Sequence, residues 1–430
     1  MTSSARILNI FRFARFLALL FAILALSGCG GGDSETPYAS SPEMDRAVVD
    51  VRSSLEDVLG KTVPSLSVLV QTPAGVYFSG SSAPGVRPVT PRTYFRFASN
   101  TKNFTAAAIL KMHQDGWLNS TDRIVDRIPG SDTPYVPEEA SWNIPYKDRI
   151  TIRLLLKHDA GVYDVSNDPV PGYDGQTYVA WKEDQDPDHQ FTSTELVEQN
   201  VLHNLSYFAP GTFKHKYSNT GYTILGEIIA RVYTQRSGSP KTYTDYLHDH
   251  IYGPITPVPL NLHFPYLAAD KHLPTPSVCG TIYAPESHED EVLCASNMSA
   301  NVAEGNGYGT MSDLNAYLRT LLKGQNVLHA DTVAKMMTDS SPAKPQYALG
   351  CSRMDNLGYG HTGATHGYLS LMAYDPAVDV SVIVLLPLWD FTTGWDSFQA
   401  CYTAMQCAGW DAREALGYPG RPQGAACPGG

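Results

Sequence analysis

Apolar residues fall at helical spacing from Met44 to Leu59, and two runs of strand character follow, Ser65 to Gln71 and Gly75 to Ser79, with a Thr-Pro-Ala turn between them. The pattern predicts a helix and then a hairpin. From about residue 100 to residue 325 helical periodicity dominates, broken by long Pro/Asp/Gly-rich loops at 129–148, 164–190 and 253–290. After about residue 345 strand character returns at Tyr347 to Met354, Gly367 to Asp375 and Val378 to Leu386, and a helix-like segment follows from Trp395 to Cys407. Sheet segments at both ends with helices between them predict an α/β (α+β) region assembled from both termini and a mainly helical region built from the middle.

The first 29 residues stand apart from this pattern. Arg6, Arg12 and Arg15, with no acid among them, precede an apolar run from Phe16 to Leu26 and then Leu26-Ser27-Gly28-Cys29. Eleven apolar residues extend only about 16 Å as a helix, against about 30 Å of bilayer hydrocarbon, so a cleaved signal is expected and not a spanning helix. The four residues ending at Cys29 resemble the bacterial lipoprotein signal, in which the cysteine is lipidated and becomes the new N-terminus; a plain secretory signal cut nearby is the alternative. Residues 30–43 then read as a flexible tether. The expected location is the bacterial cell envelope, lipid-anchored and facing the periplasm, on the outer membrane in a Gram-negative cell because Gly30 and not Asp follows the cysteine.

Composition narrows the field further. With 430 residues, 43% of them apolar, the chain can bury a substantial core, which excludes general disorder. A formal charge of −12 argues against a surface that grips phosphate backbones, so no nucleic-acid partner is expected. Beyond Cys29, the cysteines Cys279, Cys294, Cys351, Cys401, Cys407 and Cys427 form an even set, which in an oxidising compartment favours disulfides. A local bridge between Cys279 and Cys294 is the preferred pairing; the rest stay open. Neither Cys-x-x-Cys nor His-Glu-x-x-His occurs, so no metal site is expected.

Three short patterns carry chemistry. Ser99 and Lys102 lie three apart at the start of a predicted helix that stops at Gly116, and so share a face. A serine hydroxyl needs a base, a shielded lysine can act as one, and free N–H groups at a helix start suit an oxyanion. Ser341 and Lys344 match the same spacing, but Pro342 and Pro345 put them in a loop, where the match is chance. The second pattern is Tyr217-Ser218-Asn219, ahead of the helix-like stretch Tyr222 to Val232. A tyrosine near a lysine can be held partly as phenolate and shuttle protons, and an Asn amide can orient a carbonyl; the plain reading is a helix cap. Ser299-Ala300-Asn301 has the same form but leads into the loop-like Glu304-Gly305-Asn306-Gly307. The third is His361-Thr362-Gly363-Ala364, just ahead of the strand beginning near Gly367. Gly358 to Gly363 also fits the dinucleotide fingerprint G-x-G-x-x-G, which is rejected because a strand follows and no βαβ unit surrounds it.

In the order Ser-x-x-Lys, Tyr-x-Asn, His-Thr-Gly, the chain resembles the serine β-lactamases and the penicillin-recognising D-alanyl-D-alanine carboxypeptidases, specifically the class C type with its esterase and peptidase relatives. Gly116-Trp117-Leu118 with Asp122 and Pro129, Ile150 to His158, Phe208-Ala209-Pro210-Gly211 and Thr310 to Leu314 extend the likeness to roughly residues 45–405. The resemblance implies a β-lactamase-like fold, with an antiparallel sheet flanked by helices, over residues 44–408, leaving 409–430 as a tail. It implies acyl transfer on a D-amino-acid-like amide, a β-lactam or an ester, without a cofactor. Ser99 would attack the carbonyl, Lys102 and Tyr217 would exchange protons, the N–H groups of Ser99 and Ala364 would form the oxyanion hole, and Asn219, His361, Thr362 and Gly363 would bind substrate. Two departures matter. His361 stands where lactamases of this type carry lysine, so the cation for a substrate carboxylate is either a titrating His361 or Arg353 on the preceding strand, or else Thr362 holds the carboxylate. His158-Asp159-Ala160-Gly161 replaces His-Thr-Ser-Gly in a loop read as structural. An active envelope hydrolase and a binding lipoprotein that has lost turnover are the two function classes left.

Overall fold

The computed structural model describes residues 38–39, 41–285 and 288–428. The signal segment, Cys29 and most of the expected tether lie outside the described residues. All elements below belong to the unit that starts at Ala39.

Helix α1 (Pro42–Leu59) begins where the Ser41 side chain accepts a hydrogen bond from the Met44 N–H and ends at Gly60, whose φ of 63° reverses the chain. Its buried face, Met44, Val48, Val51 and Leu55, follows the helical period seen in the sequence. The hairpin β1 (Ser65–Thr72) and β2 (Gly75–Ser82) comes next. Further along are β3 (Phe95–Arg96), which pairs with β6 (Tyr308–Gly309), and β4 (Gly280–Tyr283) and β5 (Glu291–Leu293). The C-terminal strands are β7 (Ser352–Met354), β8 (Gly358–Thr365), β9 (Tyr368–Asp375), β10 (Val380–Leu386) and β11 (Leu388–Asp390).

The main sheet runs β2-β1-β10-β9-β8-β7 and is antiparallel throughout, so chain segments from both termini meet at the β1–β10 pair, where Val68 faces Val384. Central β10 is buried along its whole length, as expected for a strand covered on both faces. Alternation sorts its residues: Val380, Val382, Val384 and Leu386 pack under α1 and the C-terminal helix, while Ile383 and Leu385 join the core of the helical region. That region contains α2 (Thr101–Gln114), α3 (Ile152–Leu156), α4 (Tyr178–Gln185), α5 (Ser193–Leu202), α6 (Asn219–Ser237), α7 (Tyr243–Leu247), α8 (Met311–Leu322) and α9 (Ala330–Thr338). Eleven of the fourteen residues of α2 are buried, which makes it the axis around which the others pack. The final helix, α10 (Trp395–Ala415), lies beside α1 on the outer face of the sheet.

Several elements differ from the sequence expectation. Only Ser352–Met354 of the expected strand at 347–354 is strand; ahead of it the chain turns, with Gly350 at φ 59° and the Ala348 N–H bonded to the Cys351 carbonyl. His361 to Ala364 lie inside β8 and not ahead of a strand, while Gly367 belongs to the two-residue turn His366-Gly367, both with positive φ, that closes the β8–β9 hairpin. The last helix continues past Cys407 to Ala415, and a Cys407–Cys427 disulfide ties the following segment back to it. The Cys279–Cys294 bridge is present; Cys351 and Cys401 are buried thiols.

Candidate active site

The chain enters α2 through a strained turn. Ala98 has φ 52°, a left-handed conformation uncommon for a residue with a Cβ, and Ala98–Asn100 form a single 3₁₀ turn running straight into the helix. The Asn100 side-chain amide donates to the Phe97 carbonyl at 2.9 Å and to Ser370 Oγ at 2.8 Å, which pins the turn to β9. Ser99 is left partly accessible at the helix start, while Lys102, one turn on, is fully buried.

Strand β8 closes against this turn. A Cβ on Gly363 would stand 2.2 Å from the Phe97 carbonyl oxygen, so only glycine permits the approach. Edge strand β7 pairs with β8 only at Gly358, Tyr359 and Gly360. The Gly360 N–H points to that edge, toward the Cys351 sulfur. By the two-residue period of a strand, the N–H groups of Thr362 and Ala364 project the same way, past the end of β7. An N–H at the start of α2 and one on a strand edge beside it can together receive an oxyanion.

Three groups surround Lys102 Nζ: Ser99 Oγ at 3.1 Å, the Glu304 carbonyl oxygen at 2.7 Å and Glu304 Oε2 at 3.4 Å. Its ammonium also stands 4.8 Å from the centre of the Tyr217 ring. Burial pushes Lys102 down to about 8, against the opposing pull of Glu304 and Asp164. Tyr217 is half-buried and hydrogen-bonded with Ser99; burial holds its hydroxyl well above the usual phenol range. Burial thus favours the neutral phenol of Tyr217 over the expected partial phenolate.

Asn219 is the first residue of α6, capped by Ser218, whose hydroxyl accepts from the Gly221 N–H. Its own N–H donates to Asp164 Oδ2 at 2.8 Å, and its side-chain Oδ1 is buried without a partner among the described residues. A carbonyl oxygen kept dry and unpaired is poised for an incoming N–H.

His361 lies in a hydrogen-bond chain anchored to backbone at both ends. The Ser218 N–H donates to His158 Nδ1 at 3.1 Å, His158 Nε2 meets Tyr347 Oη at 3.1 Å, Tyr347 Oη meets His361 Nε2 at 3.0 Å, and His361 Nδ1 donates to the Thr362 carbonyl at 2.5 Å. The N–H at one end places the His158 proton on Nε2 and the C=O at the other places a proton on His361 Nδ1, while Tyr347 between them also meets Tyr222. Burial, reinforced by Lys102, pushes His361 down to about 3. Burial thus works against the expectation that His361 supplies a titrating cation. Arg353, the other cation expected there, has its side chain 57% exposed on edge strand β7, with Asp355 3.9 Å away. The Thr362 hydroxyl meets Tyr402 on α10 at 2.8 Å.

The look-alike motifs resolve differently. Ser341 is buried in a loop with its hydroxyl on Asp159 Oδ1 at 2.6 Å, and Lys344 is exposed. In Ser299–Asn301 the Asn301 amide donates to Glu304 Oε1 at 2.8 Å, so the dismissed loop delivers Glu304 to the site. Sequence reasoning missed Glu304, Asp164 and Tyr347; nothing in the local pattern around Glu304 marks its contact with Lys102, 202 residues away. Among the described residues no group of three or more His, Cys, Asp or Glu side chains is placed to hold a metal ion.

A serine and lysine at a buried helix start, a neutral tyrosine across from them and a glycine-bearing strand edge define a serine hydrolase of mixed α/β fold. Residues 51–391 match the family described as Beta-lactamase, and the chain belongs to that family. It is 29% identical over 169 residues to penicillin-binding protein 4* of Bacillus subtilis (39% of this chain, 30% of that protein) and 30% identical over 168 residues to protein flp of Staphylococcus aureus (39% and 27%). The matched part is thus less than a third of the length of these curated relatives. Among solved structures, a D-stereospecific amidohydrolase from Streptomyces sp. superposes with a TM-score of 0.64 at 23% identity, covering 84% of this chain and 98% of that one. The D-amino acid amidase of Ochrobactrum anthropi SV3, in complex with L-phenylalanine amide, gives 0.64 at 20% identity, covering 87% and 99%.

Proposed function

We propose that the protein hydrolyses amides of D-amino-acid-like substrates through an acyl-enzyme on Ser99. The observation that carries this reading is the convergence of Lys102 Nζ and Tyr217 on the Ser99 hydroxyl. Ser99 Oγ bonds to the substrate carbonyl carbon as its proton passes to the Lys102 amine, and the N–H groups of Ser99 and Ala364 hold the oxyanion. The C–N bond breaks as the leaving amine takes a proton from Lys102 through Tyr217. Water then attacks the ester, gives its proton to the same pair, and Ser99 leaves with a proton restored. Asn219 Oδ1 accepts from the substrate amide N–H.

Neutral His361 favours substrates that present an amide or ester on the leaving side over those that end in a free carboxylate there. The amidase and amidohydrolase among the structural relatives support the same choice. We also propose that Cys29 carries a lipid that holds the enzyme on the cell envelope.

Side-by-side rates on D-phenylalanine amide, a peptide ending in D-Ala-D-Ala, nitrocefin and p-nitrophenyl esters test the substrate class, with the amide or ester expected to lead. Fluorophosphonate labelling of the wild type, lost in Ser99→Ala together with at least about 10³-fold of turnover, tests the nucleophile. Full labelling of the alanine variant at another serine defeats the assignment, and an unlabelled, inactive wild type marks a binding protein.

A further inference from the structure

Lys102 is fully buried and has three hydrogens to place as an ammonium. Ser99 Oγ takes one; the other two acceptors, a carbonyl oxygen and a carboxylate oxygen, both belong to Glu304. Glu304 is itself only 2% exposed. Its second carboxylate oxygen is occupied by the Asn301 amide, so the side chain is held from both sides. A buried carboxylate is costly unless it is paired, and it is paired with the one cation that touches Ser99.

We propose that Glu304 is the positioning residue of Lys102: its carbonyl and carboxylate fix Nζ against the Ser99 hydroxyl, and its carboxylate is the counter-charge beside the amine that takes the Ser99 proton. This rests on the reading of Ser99 and Lys102 given above and extends it to a residue outside the three motifs.

Other groups also face Lys102. Asp164 acts from the loop after α3, His158 and His361 lie on the far side, and the rings of Tyr217 and Tyr222 stand 4.8 and 5.5 Å from Nζ. Both histidines are held neutral by burial, while Asp164 and Glu304 act on each other as well as on Lys102. Comparing charge-removing and charge-keeping variants at Glu304 therefore reads the charge at that position, any response of Asp164 included. Removing its charge takes away the first force that opposes burial, so Lys102 loses its proton at lower pH.

The test is the pH profile of kcat/KM on a neutral p-nitrophenyl ester for wild type, Glu304→Gln and Glu304→Asp. Glu304→Gln is expected to move the acid limb down by about one pH unit, so its rate relative to wild type climbs as pH falls. Glu304→Asp, which keeps the charge, is expected to leave the limb nearer the wild-type position. An acid limb that stays put in a folded Glu304→Gln, with activity merely scaled down, overturns the proposal. If Glu304→Gln does not fold, Asn301→Ala serves: it strips the donor from Oε1, weakens the negative charge, and is expected to shift the limb the same way by a smaller amount, with an unmoved limb again overturning the proposal. Ser99→Ala separates the two levels: hydrolysis surviving in it removes the underlying reading, whereas an inactive Ser99→Ala beside an unmoved Glu304→Gln limb removes this inference alone.

Discussion

Tyr347 Oη stands 3.0 Å from His361 Nε2, within hydrogen-bond reach of the ring. Burial pushes that imidazole down to about 3, which favours the neutral ring. The ratio of kcat/KM for a carboxylate-bearing peptide to that for a neutral amide is therefore expected to stay flat between about pH 5 and 8. Tyr347→Phe removes the donor that favours the neutral ring, and the ratio should then rise toward low pH. A wild-type ratio that already falls through about pH 6.5 contradicts this account.

Gly363 sets the distance between β8 and the Ser99 turn. Because a Cβ there would sit 2.2 Å from the Phe97 carbonyl and 2.7 Å from Ser370 Oγ, Gly363→Ala must push the strand away. A displacement of about 1 Å costs on the order of 10²-fold in rate. The expected signature is a drop in kcat with a folded protein, read by steady-state kinetics beside circular dichroism. Near-normal kcat would mean that the Ala364 N–H does not serve the reaction.

Acid should weaken the fold before ordinary carboxylates titrate. His361 is pushed down to about 3 and His366 to about 4, and His158 well below its usual value, all by burial. For a base whose folded pKa is depressed, the unfolded chain binds the proton first, so stability is present above about pH 6.5 and lost as pH falls toward the folded value. Each such ring costs up to about 1.4 kcal/mol per pH unit in that window. Denaturant melts at pH 6 and 5 should show His361→Asn losing about that much less than wild type over the unit; equal slopes refute the claim.

The proposed anchor is tested in cells. Cys29→Ser should move the protein from the membrane fraction to the soluble one, and mass spectrometry of the wild type should find an acylated N-terminal cysteine. A wild type that begins at another residue and is soluble rules it out.

Legibility in the sequence followed range. Ser99 and Lys102 are within one turn of helix, so local period alone put them on one face, whereas Tyr217 and Asn219 flank the Ser218 cap of α6. Strand β8 was harder, because glycines at 358, 360 and 363 imitate a loop; Gly363 at least is required by the packing of the strand against a neighbour that the local pattern cannot show. Glu304 was out of reach for the same reason in stronger form. Its partner Lys102 is 202 residues away, and nothing near Glu304 in the chain announces the contact. Tyr347 read as a strand residue because Tyr347, Leu349 and Cys351 alternate with small residues, yet the chain bends there to deliver the phenol between His158 and His361.

The β1–β10 pairing has a consequence for how the molecule comes into being. Val68 waits for Val384, more than three hundred residues later in synthesis, so the N-terminal hairpin must exist for most of that interval with an open, apolar edge. Contacts this distant are slow to form, and an uncovered strand invites pairing with another chain. The last hundred residues therefore act as the closing half of a clasp: any truncation ahead of Val380 leaves β1 exposed in the finished chain, with aggregation as its fate, even though every residue of the Ser99 turn has been made.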